Sequence, residues 1–182
     1  MCTIEYIALP VEMSSAKGYP HSMGLPPLAL SLESRVYTAL RSFADQKSPL
    51  PEHLLIGERG EDAAFFHLRA LGYTVVARRW RSARIPGDLD LVAWDGPTLI
   101  VFEVKTRTAR DLASAEAAVD IYKQQMLRKM ASAYLRQLPE PDRKSIILRF
   151  DVLSVYLLPD GPEFQHLRDV FPRAEPETPR WR

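Results

Sequence analysis

An α/β fold is predicted by three features of the 182-residue chain. Two amphipathic helical stretches come first, then three short apolar runs that alternate with period two. A further helical stretch separates these from a last strongly β-like segment. The order of elements is therefore helix, helix, three strands, helix and one or two strands.

Residues 1–27 mix Pro10, Gly18, Pro20, Gly24, Pro26 and Pro27 with polar residues, and are expected to be a loosely ordered leader, with Met13 or Met23 as alternative starts. Residues 28–50 form an accessory unit. LALSLESRVYTALRSFADQK carries Leu32, Val36, Ala39, Leu40 and Phe43 at helical spacing and is closed by Ser48–Pro49–Leu50–Pro51. Helix 28–47 either packs on the core or offers a surface for a protein partner or for self-association.

Residues 51–171 form the main domain, and 172–182, with Pro172, Pro176 and Pro179, a flexible tail. A helix is expected from near Gly57 to Gly72, with Ala64, Phe65, Leu68 and Leu71 as its apolar stripe. Glu61 falls on the inward side, as a partner of the helix dipole or as an acidic group near a metal. Glu58 and Asp62 are expected to face water, and His67 to be a surface histidine. A strand follows at Tyr73–Ala77. Arg78, Arg79, Arg81 and Arg84 then surround Trp80 in the densest basic patch of the chain. That patch is either a solvated loop or a set of phosphate contacts.

Asp88–Trp94 and Thr98–Lys105 read as two strands joined by Asp95–Gly96–Pro97, a turn sequence. Alternation puts Glu103 and Lys105 on one face, and an antiparallel hairpin brings Asp90 beside them. Two adjacent carboxylates repel and are costly to bury. A hard divalent cation such as Mg²⁺ resolves the repulsion, and a lysine beside it can orient a water or neutralise charge on a phosphate. The other reading is a plain Asp/Glu–Lys salt-bridge patch on a solvated sheet face.

After a polar connection, a long helix is expected over about 114–138, with Ala117, Ala118, Ile121, Leu127, Met130, Ala131, Tyr134 and Leu135 as packing positions. Lys123 and Gln124 sit where this helix passes the end of the hairpin, while Arg128 and Lys129 read as solvated charge. Pro139–Asp142 stops the helix. Residues 145–158 are β-like, interrupted by Asp151, and 163–171 could form an edge strand.

Formal net charge is +1, so any nucleic-acid surface must come from local clustering. The single cysteine, Cys2, excludes an internal disulfide framework and fits a reducing compartment. The first residues lack the basic and apolar regions of a signal peptide, and no apolar run approaches the ~20 residues of a membrane helix. A cytoplasmic protein without membrane contact is expected.

GERGEDAAFFHLRALGYTVVARRWR, GDLDLVAWDGPTLIVFEVKTR, KQQMLRKMASAYL and RFDVLSV, in this order, resemble the YraN family of uncharacterised bacterial proteins. That family is assigned to the restriction-endonuclease-like PD-(D/E)xK superfamily, near archaeal Holliday-junction resolvases. The resemblance covers about residues 57–171 and implies a mixed-sheet αβββαβ core, here with an extra N-terminal helix. It implies Asp90 and Glu103 as metal-binding carboxylates, with the Val104 carbonyl as a further ligand and Lys105 as the ExK lysine. Glu61 would be the carboxylate of the first core helix, and Lys123 and Gln124 the Lys/Gln motif after the hairpin. Leu89 stands where the superfamily motif has proline. Asp151 matches the RFDV stretch without a chemical role. The implied activity is Mg²⁺- or Mn²⁺-dependent hydrolysis of phosphodiester bonds in DNA, branched or damaged DNA included. Arg78, Arg79, Arg81, Arg84 and Arg107 would hold the nucleic acid. The alternatives are a nucleic-acid-binding or protein-interaction module that uses the fold without turnover.

Overall fold

The computed structural model describes residues 27–46, 48–109, 119–139, 143 and 145–172. The expectations for residues 1–26, for the start of the long helix at 114–118 with Ala117 and Ala118, for residues 140–142 of its stop, and for residues 173–182 lie outside them. Helices α1 (Pro27–Asp45) and α2 (Glu52–Ala70) precede strands β1 (Thr74–Arg81), β2 (Asp88–Asp95) and β3 (Thr98–Arg107). Helix α3 (Ile121–Leu135) then leads to β4 (Ile147–Leu158) and β5 (Gly161–Leu167). The five strands form one mixed sheet in the order β1-β2-β3-β4-β5. Strands β3 and β4 run parallel, and every other pairing is antiparallel. This is the expected mixed α/β architecture of restriction-endonuclease-like proteins, with α3 as the crossover between the two parallel strands.

Alternation along the strands fills both faces of the sheet. Leu91, Ala93, Ile100, Phe102, Leu153 and Val155 pack against Ala64 and Leu68 of α2. Val92, Leu99, Val101, Phe150 and Val152 pack against Leu127, Met130, Ala131 and Tyr134 of α3. Each such large side chain taken from water contributes about 1.5–3 kcal/mol before the entropy of ordering it. The sheet is therefore pinned from both sides.

Several boundaries differ from expectation. Helix α2 begins at Glu52, directly after Pro51, and runs through Gly57 and Gly60. A Cβ at Gly60 would overlap the Thr106 side chain on β3, so glycine there lets the helix lie close on the sheet. Gly72 ends the helix as expected, at φ +92°, with Tyr73 N–H donating to Leu68 O at 3.0 Å. Strand β1 continues to Arg81 because its whole length pairs with β2, and β5 lies earlier than expected because it pairs back onto β4 from Gly161. The last helix is described from Ile121, with Asp120 as its N-cap. Ile121 is exposed rather than packed.

Helix α1 does not pack its apolar stripe on the core, the first of its two expected placements. Leu32, Val36 and Leu40 face outward, and the helix meets α2 through its polar edge. Tyr37 donates to Asp62, Arg41 pairs with Glu58, and Arg69 pairs with Glu33. Asp62 is consequently buried and Glu58 half-buried, where water was expected around both. His67 is not free at the surface either, since its ring stacks on Phe164 at 3.8 Å.

Candidate active site

The β2–β3 ladder runs from Asp95↔Thr98 to Leu91↔Phe102 and stops there. Beyond that point the Asp90 side chain takes the place of a strand partner, and its Oδ2 accepts the Val104 N–H at 2.7 Å. The N–H and C=O of one strand residue point to the same side. The Val104 carbonyl is therefore directed toward the gap that Asp90 enters. On the other flank, Arg79 lies between the β1 residues paired with Leu91 and Leu89, and has a φ of +47°. This is an uncommon conformation for a residue with a Cβ.

Glu103 stands on the α3 face of β3 and is only 3% exposed. Its Oε1 accepts from Lys105 Nζ at 2.8 Å, and its Oε2 lies 2.9 Å from Lys123 Nζ. The second contact is an ion pair without a well-directed hydrogen bond. Lys123 reaches Glu103 because Asp120 caps α3, its Oδ1 accepting the Lys123 N–H at 2.7 Å. Gln124 turns away, donating through Nε2 to the Val119 carbonyl at 3.1 Å. It secures the turn that leads into α3 and does not reach the carboxylates.

Burial, followed by the charge of Glu103, pushes the Asp90 carboxyl up to about 7, against the Val104 hydrogen bond, which lowers it. Glu61 adds a smaller like-charge push, which sets it electrostatically with this pair. Burial opposes the charge on Lys123, but Glu103 outweighs burial and holds the ammonium above its ordinary range. Arg79, likewise held charged against burial by Glu61, ion-pairs with Glu61 and, at 3.2 Å, with Glu58.

Asp90, Glu103, Lys105 and Lys123 thus come together, with Glu61 beside them behind Arg79. The other arginines divide. Arg78 faces α2, pairs with Asp62 and lies 4.4 Å above the Phe65 ring, so it is committed to the core. Arg81 is 76% exposed, with Asp88 3.5 Å away, and Arg84 is exposed. Arg107 ends β3, half-buried and in register with Tyr156.

Three contributors escaped sequence reasoning. Asp120 had a legible signal, an Asp opening a helix. Gly60 had another, a glycine inside a helical pattern. Ser154, fully buried and in register with Lys105, had none, because its place depends on the β3–β4 pairing.

The donor set suits Mg²⁺ or Mn²⁺. Asp90 and Glu103 are two desolvated like charges, and the Val104 carbonyl adds a hard oxygen. Among the described residues, no group of three or more His, Cys, Asp or Glu could hold a metal ion by itself. Mg²⁺ is commonly bound by one or two carboxylates plus water and substrate phosphate, so two acids are enough.

Residues 60–155 match the family model described as "Uncharacterised protein family UPF0102". A UPF0102 protein of Koribacter versatilis is 48% identical over 121 residues, covering 66% of this chain and 82% of the relative. One from Solibacter usitatus is 44% identical over 115 residues, 63% of this chain and 84% of the relative. One from Porphyromonas gingivalis is 37% identical over 139 residues, 73% of this chain and 98% of the relative. No helix among the described residues is long and apolar enough to cross a membrane. On the match of the family model and of these relatives, the chain belongs to the UPF0102 family, also called the YraN family.

Proposed function

We propose that this protein is a Mg²⁺- or Mn²⁺-dependent nuclease acting on DNA. The observation that carries the reading is the pair of desolvated carboxylates, Asp90 and Glu103, where β2 and β3 part, with the Lys105 ammonium 2.8 Å from Glu103. A scaffold gains nothing from desolvating two like charges side by side, whereas a cation site requires them.

Asp90, Glu103 and the Val104 carbonyl would hold the metal, which would supply Lewis-acid chemistry toward a phosphate and a water there. Lys105, a third exposed along its side chain, reaches solvent and holds a proton beside Glu103. It orients the attacking water and neutralises charge developing on the phosphate. Lys123 fixes the second oxygen of Glu103 and so sets the plane of that carboxylate. Arg79, on β1, ties the Glu61 carboxylate of α2 to the sheet. Arg81 and Arg84, on the exposed segment that leads to β2, bind the backbone on either side. Arg78 has no part in this reading, being paired with Asp62.

The test is cleavage of single-stranded, duplex, flap and four-way DNA by the full chain with Mg²⁺ or Mn²⁺, beside Asp90→Ala, Glu103→Ala and Lys105→Met. Metal-dependent cleavage that all three variants lose is expected. No cleavage of any substrate, or cleavage that persists in Asp90→Ala, overturns the proposal. One observation favours a second reading, a binding module without turnover. Both oxygens of Glu103 already face lysines, so its charge is balanced without a cation. Salt-sensitive DNA binding that survives Asp90→Ala and Glu103→Ala, with no cleavage, would establish it.

A further inference from the structure

Ile121 and Tyr122 open α3 with their side chains 72% and 80% exposed. Single exposed apolar residues are ordinary, but these two are adjacent, one is aromatic, and their position ties them to the site. Lys123, the next residue, reaches Glu103. Tyr122 lies one turn before Met126, on the same side of the helix. Met126 in turn packs at Gly87, where a Cβ would meet its Sδ at 2.6 Å. Gly87 closes the loop that carries Arg84. The Tyr122 ring is therefore on the side of α3 that looks toward the exposed Arg81 and Arg84, one residue from the lysine on the carboxylate pair.

We propose that Tyr122, flanked by Ile121, is a stacking platform for an unpaired nucleobase next to the scissile phosphate, so that the substrate class is nucleic acid with unpaired bases. The inference rests on the nuclease reading of the same site. An aromatic face accepts any base, and neighbouring cations hold the backbone that carries it. Duplex bases are already stacked and must be unstacked to use the ring, so the platform selects single-stranded or flapped segments. The charge around the ring fits this occupant. Arg81 and Arg84 are exposed cations. Asp120, two residues from the ring, accepts the Lys123 N–H, and Asp88 lies 3.5 Å from Arg81, leaving Arg84 exposed.

The experiment measures binding of a 20-nucleotide oligonucleotide carrying 2-aminopurine, as a single strand and as a duplex, with Ca²⁺ replacing Mg²⁺ to slow cleavage. It compares the full-length wild type with Tyr122→Ala and Tyr122→Trp, and each protein's Mg²⁺-dependent cleavage is assayed in parallel. The expected result is about a ten-fold loss of single-strand affinity in Tyr122→Ala, with duplex affinity within about two-fold and Tyr122→Trp at wild-type strength. Because the ring is exposed, the melting temperature should not move. Single-strand affinity unchanged in Tyr122→Ala, or equal losses on single strand and duplex, overturns the inference while wild-type cleavage leaves the nuclease reading standing. Unchanged DNA binding with altered sedimentation of Tyr122→Ala would assign the ring to a protein contact and overturn it as well. A wild type that neither binds nor cuts DNA overturns both.

Discussion

Replacing Asp90 by Asn should make the metal-free protein more stable while removing its activity. The carboxyl is pushed from its ordinary 3.8 to about 7 by burial and by Glu103. At 1.36 kcal/mol per pH unit, that difference is worth about 4 kcal/mol. The folded pKa lies above the unfolded one, so the folded state binds the proton more tightly. Stability therefore falls as pH rises from about 4 to about 7 and is level beyond. Asn is nearly the same shape, still accepts the Val104 N–H through its oxygen, and offers Glu103 a donor in place of a charge.

Urea unfolding in EDTA at pH 5, 6, 7 and 8 reads the effect directly. The Asp90→Asn variant should exceed wild type by about 2 kcal/mol at pH 5 and about 4 kcal/mol at pH 8. Added Mg²⁺ or Mn²⁺ should then raise wild type at pH 8 and leave the variant unmoved, since only a ligand that prefers the folded state stabilises it. A variant within about 1 kcal/mol of wild type at pH 8, or a difference that does not grow with pH, would refute the claim that Asp90 is held at a cost.

Three other outcomes follow from neighbouring residues. Gly60→Ala drives a Cβ into Thr106 and should cost about 1–3 kcal/mol in urea unfolding. Thr106→Ala should restore part of this loss, and a neutral Gly60→Ala would mean that α2 does not need its close approach. Asp151→Asn breaks a buried carboxylate out of its pairing with Arg149 and His166, at 2.9 and 2.8 Å, and should cost about 3 kcal/mol. Burial raises the Asp151 carboxyl, but the His166 and Arg149 bonds outweigh it and hold the pKa below 3.8. Its stabilisation is therefore present above about pH 4 and lost as pH falls through the lowered value, so the acid limb of wild-type unfolding should be steeper than that of the variant. Arg81→Ala and Arg84→Ala should each reduce the salt dependence of single-strand binding, log K against log salt, by about 0.7, and unchanged slopes would remove them from the phosphate path.

Much of the geometry of the candidate site was legible because it sits on a hairpin, where pairing is local. Period-two alternation and the Asp95–Gly96–Pro97 turn fix which side chains of β2 and β3 face each other, so the nearness of Asp90 to Glu103 needs no distant information. What alternation alone does not contain is the end of the ladder at Leu91↔Phe102, which lets the Asp90 carboxylate take the Val104 N–H. The arginines show the opposite case. Arg78 and Arg79 are adjacent in sequence, but their partners Asp62 and Glu61 come from α2, and only the packing of that helix on the sheet selects them. For helix α1 the sequence left two placements open, because periodicity identifies an apolar stripe without saying what the stripe faces. Here the polar edge finds Asp62, Glu58 and Arg69 on α2, and Leu32, Val36 and Leu40 are left outside.

Asp151 and Asp90 are held in opposite ways within one sheet. Both are aspartates on strands, and desolvation raises both. Asp151, on the α2 face, receives Arg149 on both oxygens, His166, and the Asp169 N–H at 2.9 Å. Its charge is matched, its pKa falls, and folding is stabilised by keeping it ionised. Asp90 has one backbone N–H and a second carboxylate for a neighbour, so its pKa rises and folding is opposed by its ionisation. A non-glycine residue at positive φ stands beside each of them, Arg79 at +47° opposite Asp90 and Asp169 at +52° with its N–H on Asp151, so backbone conformation does not separate the two. The direction of the shift is thus the discriminating quantity, since burial raises both carboxyls and only their partners differ in sign.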